Sequence, residues 1–332
     1  MLYQALKIPA KLSLLLFLRH LKINDKQWLS AKGPLLLACN HPNSFLDAII
    51  ICTLFKCPVY SLARGDAFKN KTAAALLKKL NMLPVYRSSE GVENLEHNYT
   101  TFSTCKEIFK QNGIVLIFSE GRCMNEWHLR PLKKGTARMA LSSWDEAIPL
   151  KVLPVAINYQ RFHCYDKDVH LSFGNIITRD DVDHNNGFGR STLSFNNLLQ
   201  KELEPLVYEI APGDAEARDK IFEQKTPFWK KTLLAIPAAL GWFIHLPMYL
   251  TALFFAKKFG TGNGHYDSIL VAVLLLTYPL YTVLLTAIAC LVSGNLFSLL
   301  LIFAMPFCAW SYNFFNVVVA KCLYVLVSHH LK

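Results

Sequence analysis

The stretch LLLACNHPNSFLDAIIICTL, residues 35–54, decides how this chain reads. Leu35, Leu36, Leu37, Ala38 and Cys39 have the length and unbroken apolarity of a strand buried on both faces. Asn40-His41-Pro42-Asn43-Ser44 interrupts the run, and Leu46–Leu54 then takes up a helical period. Strand, polar turn and helix make a βα unit. The pattern recurs in strand-length apolar runs at Val59–Leu62, Met82–Val85, Ile114–Phe118 and Val152–Ile157, with a weaker one at Val169–Phe173. Helical segments at Thr72–Leu80, Tyr99–Gln111 and Gly135–Ser142 lie between them. This alternation predicts an α/β domain, a mostly parallel sheet flanked by helices.

In such sheets functional residues collect in the turns after strand C-termini. Four turns therefore attract attention: Asn40-His41, Ala63-Arg64-Gly65-Asp66, Ser119-Glu120-Gly121-Arg122 and Asn158-Tyr159. The first holds a histidine six positions ahead of Asp47. Inside one regular helix that separation is roughly 600°, which places the two side chains on different faces. They meet if His41 lies in the turn and Asp47 in the first helical turn. His41 is then a general base, with Asp47 fixing its tautomer through the other ring nitrogen. Ser44 and Asp47 also fit a capping box, with Ser44 as the N-cap, and that structural reading needs the same geometry.

Composition divides the 332 residues near Thr226-Pro227. Residues 226–332 hold no Arg, six Lys and one acid, Asp267, whereas residues 1–225 hold 29 of the 35 basic and 23 of the 24 acidic residues. Beyond the divide come three 25-residue runs without a charge, Thr232–Ala256, Ser268–Val292 and Leu296–Ala320. As helices each reaches roughly 37 Å, enough to cross a hydrocarbon core, so two to three transmembrane helices are expected. Pro237, Pro247 and His245 mark the first run as kinked or re-entrant, and Ser293-Gly294-Asn295 suits a tight hairpin between the last two. His245 and His265-Tyr266-Asp267 are unusual polar features for such a region.

The N-terminal residues 1–23 alternate leucines with Lys7, Lys11, Arg19 and Lys22, which fits an interfacial helix or a helix packed on the core. No signal-peptide pattern is read there. The expected organisation is an amphipathic membrane-interface region over 1–29, a catalytic α/β domain over 30–225 and a transmembrane region over 226–332. Net charge is +11, six of it in residues 1–225 (29 minus 23), which beside membrane spans suggests anionic lipid or phosphate-bearing substrates and no nucleic acid. Nine cysteines without paired or metal-type spacing read as reduced thiols of a domain facing the cytosol. No metal or organic cofactor is indicated.

Taken together, four blocks resemble the glycerolipid acyltransferases over most of residues 30–180. Asn40-His41-Pro42-Asn43-Ser44-Phe45-Leu46-Asp47 looks like the family's catalytic block. Ala63-Arg64-Gly65-Asp66-Ala67-Phe68, with Leu83-Pro84-Val85-Tyr86-Arg87, looks like its acceptor-binding segment. Ile117-Phe118-Ser119-Glu120-Gly121-Arg122, continued by Leu132-Lys133-Lys134-Gly135-Thr136-Ala137, resembles the block that usually reads Phe-Pro-Glu-Gly-Thr-Arg. Val152-Leu153-Pro154-Val155-Ala156-Ile157 is the fourth. Five residues separate His from Asp where four is common, a spacing familiar from fungal-type glycerol-3-phosphate acyltransferases. Ser119 replaces the usual Pro, and no Thr precedes Arg122.

The resemblance implies acyl transfer from an acyl-CoA or acyl carrier protein thioester to a hydroxyl of glycerol 3-phosphate or 1-acylglycerol 3-phosphate. His41 and Asp47 would be catalytic, and Arg64, Glu120, Gly121, Arg122, Lys133 and Lys134 would bind substrate, with Arg87 a further candidate cation. The apolar runs and the reduced cysteines imply an integral membrane enzyme whose catalytic domain sits on the cytoplasmic face. A lyso-aminolipid such as a lyso-ornithine or lyso-glycine lipid is an alternative acceptor, and a catalytically silent lipid-binding protein is an alternative of another class. A transporter would be expected to carry paired ionisable residues within its spans, which hold only His245.

Overall fold

The computed structural model describes residues 2–86, 96–183, 187–223, 226–260 and 264–315. These residues form two compact units.

The first unit takes Met1–Lys11, Leu21–Phe162 and Val169–Arg218. The chain's strands are β1 (Leu18–Ile23), β2 (Leu35–Cys39), β3 (Val59–Arg64), β4 (Met82–Val85), β5 (Ile114–Phe118), β6 (Lys151–Tyr159) and β7 (Lys167–Phe173). They order as β1-β7-β6-β2-β5-β3-β4. Strand β2 is parallel to β5 and β6, and β3 is parallel to β4 and β5, while β7 runs antiparallel to β6. The expected mostly parallel sheet is what forms. Helices α2 (Phe45–Leu54), α3 (Lys71–Lys79), α4 (Glu96–Lys110), α5 (Lys134–Asp145), α6 (Phe188–Leu203) and α7 (Ala215–Ile221) accompany it, after α1 (Leu2–Phe17).

All five residues of β2 are buried, as a strand with neighbours on both sides and cover on both faces requires. Each fully buried leucine there contributes roughly 1.5–3 kcal/mol of transfer free energy. Cys39 stands level with Phe118 on one side and Val155 on the other. The turns after β2, β3, β5 and β6 therefore open at one edge of the sheet.

One N-terminal expectation changes and another is decided. Residues 18–23 are strand rather than a continuation of the helix, because the end of this segment is stitched to β7: Asn24 N donates to Leu171 O (3.3 Å), and the Asn24 amide exchanges two 2.9 Å bonds with Phe173 N and O. Such non-local pairing leaves no trace in leucine periodicity. Lys7, which an interfacial helix would hold outward and a core-packed helix inward, turns its ammonium to the carbonyls of Phe55 and Lys56 at the end of α2, and Tyr3 OH donates to Cys52 O (3.1 Å). Cations suit that end of a helix, where carbonyls lack partners. Leu6, Ile8, Leu12 and Leu15 of α1 remain exposed.

The second unit takes Leu12–His20, His163–Asp168 and Asp219–Lys332. Its helices α8 (Phe228–Gly260) and α9 (Tyr266–Ser293) are long and apolar enough to cross a membrane, at 33 and 28 residues. Helix α8 runs unbroken through Pro237 and Pro247, so of the two expectations for this run, kinked or re-entrant, the re-entrant one does not occur. Helix α9 ends at Gly294, whose φ of +61° makes a left-handed cap with its N–H on Cys290 O (3.0 Å). The third apolar run is not one long helix. It begins with a single 3₁₀ turn, Leu296–Leu300, and continues as α10 (Leu301–Tyr312); residues 316–320 of the expected span lie outside the described residues.

Asp267 accepts from Lys167 Nζ and from the backbone N–H groups of His163 and Cys164 (3.1 Å each), and both members of the Lys167–Asp267 ion pair are fully buried. Nearby in this unit Asp168 holds Arg19 Nε and His20 Nδ1, each at 2.9 Å. Asp267 thus ties a polar segment to the start of α9. His245 is buried in α8, with Nδ1 2.7 Å from Gly241 O and its ring stacked 5.5 Å from Tyr278.

Candidate active site

The site lies within the first unit, where β2, β5 and β6 end side by side. At Asn40 the main chain leaves the sheet, and the Asn40 amide takes over the pairing: Nδ2 donates to Ile157 O (3.1 Å) and Oδ1 accepts from Ile157 N (2.8 Å). Ser119 N donates to Cys39 O (2.8 Å) on the opposite side. His41 is then fixed at both ends of its peptide, its N–H on Glu120 Oε2 (2.9 Å) and its carbonyl accepting from Met124 N (3.2 Å). Its ring stacks on Phe118 with centroids 3.8 Å apart and planes 14° apart.

His41 Nδ1 is 2.9 Å from Asp47 Oδ2. The Asp47 side chain is fully buried, while that of His41 keeps 15 % exposure. The same Oδ2 accepts from Asn43 N (2.8 Å), and Oδ1 accepts from Tyr159 OH (2.7 Å). With Nδ1 as the N–H donor to this carboxylate, Nε2 carries the lone pair.

The capping-box expectation needs correction. Ser44 stands at the N-cap position with φ +52° and ψ −134°, and makes no side-chain cap bond. Asp47 turns away from Ser44 to satisfy Asn43 N and His41, so its first-turn position serves the histidine. The unusual backbone at Ser44 is held by its N–H on Cys123 Sγ (3.0 Å), and the next stretch of that wall is held by Asn125 Nδ2 on Pro42 O (2.7 Å). A non-glycine residue in this region of φ,ψ space is costly and persists where surroundings enforce it.

Glu120 is buried, and its two oxygens accept from His41 N and Arg130 N (3.1 Å). Burial pushes its carboxyl up to about 7, against the two backbone donors, which favour the ionised form. It braces the turn after β2 to the loop at residue 130. Gly121 follows with φ +66°, and a Cβ there would stand 2.9 Å from Lys133 Cγ. Lys133 N donates to Ser119 O (2.8 Å), folding the start of α5 back onto this turn. Thr136 Oγ1 adds a 3.0 Å bond to Ser119 Oγ.

The remaining predicted residues are placed less centrally. Arg122, Lys133 and Lys134 are exposed on the turn after β5 and at the start of α5. Arg64 is exposed and paired with Asp66, and β5 separates its strand β3 from β2. Arg87 lies outside the described residues. Burial raises the Cys39 thiol well above its ordinary range, which keeps it protonated and unsuited to be a nucleophile. Sequence reasoning missed the link from Tyr159 to Asp47 and the backbone role of Arg130. Tyr159, expected with Asn158 in a turn after Val152–Ile157, is instead the last residue of β6, and its place at that strand end was the available signal. Among the described residues no group of three or more His, Cys, Asp or Glu side chains is arranged to hold a metal ion.

The sequence model of the Acyltransferase family matches residues 20–158. A 1-acyl-sn-glycerol-3-phosphate acyltransferase of Bacillus subtilis (strain 168) is 28 % identical over 129 residues, covering 39 % of this chain and 60 % of the relative. The chain thus spans about 60 % of the length of that relative. Among solved structures, the 1-acyl-sn-glycerophosphate (LPA) acyltransferase PlsC of Thermotoga maritima superposes with a TM-score of 0.44 at 14 % identity, over 62 % of this chain and 78 % of that one.

Proposed function

We propose, from the match of residues 20–158 to the model of the Acyltransferase family, that the chain is a membrane-bound glycerolipid O-acyltransferase. It moves a fatty acyl group from an acyl-CoA or acyl carrier protein thioester to a hydroxyl of glycerol 3-phosphate or 1-acylglycerol 3-phosphate. The observation that carries this reading is the 2.9 Å bond between His41 Nδ1 and the buried Asp47, which leaves Nε2 for a substrate.

Nε2 takes the proton of the acceptor hydroxyl as its oxygen attacks the thioester carbonyl. Asp47 holds the imidazolium that forms, and positioned bases of this kind contribute about 10²–10⁴ in rate. The tetrahedral intermediate expels the thiolate, which takes the proton from Nε2–H, leaving an ester and a free thiol. An acceptor phosphate needs fixed cations. Arg122, Lys133 and Lys134 supply them first, since they border the strand beside β2, and Arg64 stands further along the same edge. Glu120 and Gly121 shape the acceptor side by fixing the turn that carries these cations.

Helices α8 and α9 anchor the protein in the bilayer, with apolar side chains such as Ile236, Phe243, Leu276 and Leu280 exposed along them. The exposed leucines of α1 lie at the interface, giving an interfacial region over 1–29, a catalytic region over 30–225 and a membrane region over 226–332. Eight described cysteines are free thiols, which supports a catalytic region on the cytoplasmic side. The test is transfer from a labelled long-chain acyl thioester to a panel of glycerol 3-phosphate, 1-acylglycerol 3-phosphate and lyso-aminolipids, with His41→Ala alongside. Product with a phosphate-bearing acceptor that disappears in the variant supports the reading. Transfer to lyso-aminolipids alone, or no transfer from folded protein, overturns it.

A further inference from the structure

Tyr159 closes β6 and is fully buried, one residue beyond the stretch that the family model covers. Everything about its placement is fixed. Its backbone pairs with Val169 of β7, its carbonyl accepts from Trp127 Nε1 (2.6 Å), and its ring lies 5.9 Å from that of Phe162. From this anchorage the hydroxyl donates to Asp47 Oδ1 at 2.7 Å. For packing alone a phenylalanine would fill the same space.

We propose that Tyr159 is a positioning residue, whose hydroxyl sets both the orientation of the Asp47 carboxylate and how strongly that carboxylate favours a protonated His41. The proposal rests on the acyl-transfer reading above. Asp47 shares its charge among three donors: His41 Nδ1 and Asn43 N at Oδ2, and Tyr159 OH at Oδ1. A donor at Oδ1 draws charge away from the imidazole side. Without it the carboxylate attracts the imidazolium more strongly, and His41 gives up its proton at higher pH. The other ionisable groups around the pair are Glu120 with Arg130 beside it, from the turn after β5, Cys123 behind Ser44, and Cys39 of β2. None of these touches Oδ1.

The experiment uses the full chain in detergent. His41 is titrated by NMR with ¹³C-labelled histidine, its signal assigned by loss in His41→Gln, and the pH profile of kcat/KM is measured in parallel. Tyr159→Phe should raise the His41 midpoint by about 0.5–1 pH unit and move the acid limb of the profile with it. It should lower the plateau kcat about 5–20-fold with KM little changed, as loss of orientation does. Replacing Tyr159 with 3-fluorotyrosine, a stronger donor of nearly the same size, should move the midpoint the opposite way by a few tenths of a unit. That second variant also carries the test should Tyr159→Phe fail to fold. Midpoints unchanged in the variants that fold, with only a loss of thermal stability, would make Tyr159 a packing residue and overturn the proposal. Should the chain transfer no acyl group to any acceptor, the functional reading fails, and the histidine titration still decides the role of Tyr159.

Discussion

Two buried aspartates, one in each unit, show how the same side chain serves different ends. Asp47 and Asp267 are both fully buried, and each gathers side-chain and backbone donors. Asp267 grips a lysine ammonium sealed from solvent together with two backbone N–H groups, so its partners stay as they are. Asp47 grips an imidazole whose outer part reaches the surface, so its chief partner is able to trade a proton. A buried aspartate whose partner opens on one side is machinery, and one closed on every side is a clasp.

The strongest way to break this contrast is to find activity surviving without Asp47. Asp47→Asn should lower kcat about 10²–10⁴-fold, roughly 3–5 kcal/mol in the barrier, and exceed its own cost in stability. Steady-state kinetics beside a thermal melt reads both. Asp267→Ala should do the converse, losing about 3–5 kcal/mol of stability because a buried lysine charge is left alone, with kcat of the folded fraction near wild type. Recovery of more than half that loss in Lys167→Met/Asp267→Asn would sharpen the view of a clasp; a fall in kcat at full stability would refute it.

Glu120 stands between these cases. Its carboxyl is raised from 4.5 to about 7 by burial, so the folded state holds the proton more tightly than the unfolded one. Between pH 4.5 and 7 its ionisation therefore lowers stability as pH rises, by up to about 3 kcal/mol in all, and above 7 the cost stays constant. The ionised form is the stronger acceptor for both His41 N and Arg130 N, so activity should fall on acidification through that same window. Glu120→Gln should flatten the stability profile over this window, as unfolding at stepped pH would register. It should also lose activity at every pH, because one amide oxygen cannot meet two N–H donors. The smallest effect is expected at Arg64, whose pair with Asp66 is exposed at 46 % and 39 %. Arg64→Ala should change stability by less than about 1 kcal/mol, and a rise in the acceptor KM would be the sign that this arginine also meets substrate.

What the sequence disclosed follows the range of the interactions. The boundaries of Leu35–Cys39 and Ile114–Phe118 were legible because a strand buried on both faces must be apolar throughout, and the half-buried edge strand Met82–Val85 was legible as a short apolar run. His41 and Asp47 were legible as a pair because six residues of local chain bring them together. Tyr159 was not, since 112 residues separate it from Asp47 and only the order β6-β2 makes them neighbours. Lys167 and Asp267, 100 residues apart, were hidden likewise. Ser44-x-x-Asp47 shows a local pattern misleading by itself. It had the letters of a cap, and the competing donors at Asn43 N and His41 drew the carboxylate elsewhere.

The Asn40 side chain has a consequence of its own. A carboxamide presents the same donor and acceptor as a peptide group, and here it impersonates one, so β6 finds its next rung while the real backbone has already turned off. The splice releases the peptides of His41 and Asn43 to face carboxylates instead of a neighbouring strand. Replacing Asn40 by aspartate would keep the shape and forge only half the signature, since Ile157 O would meet an oxygen where it needs a donor.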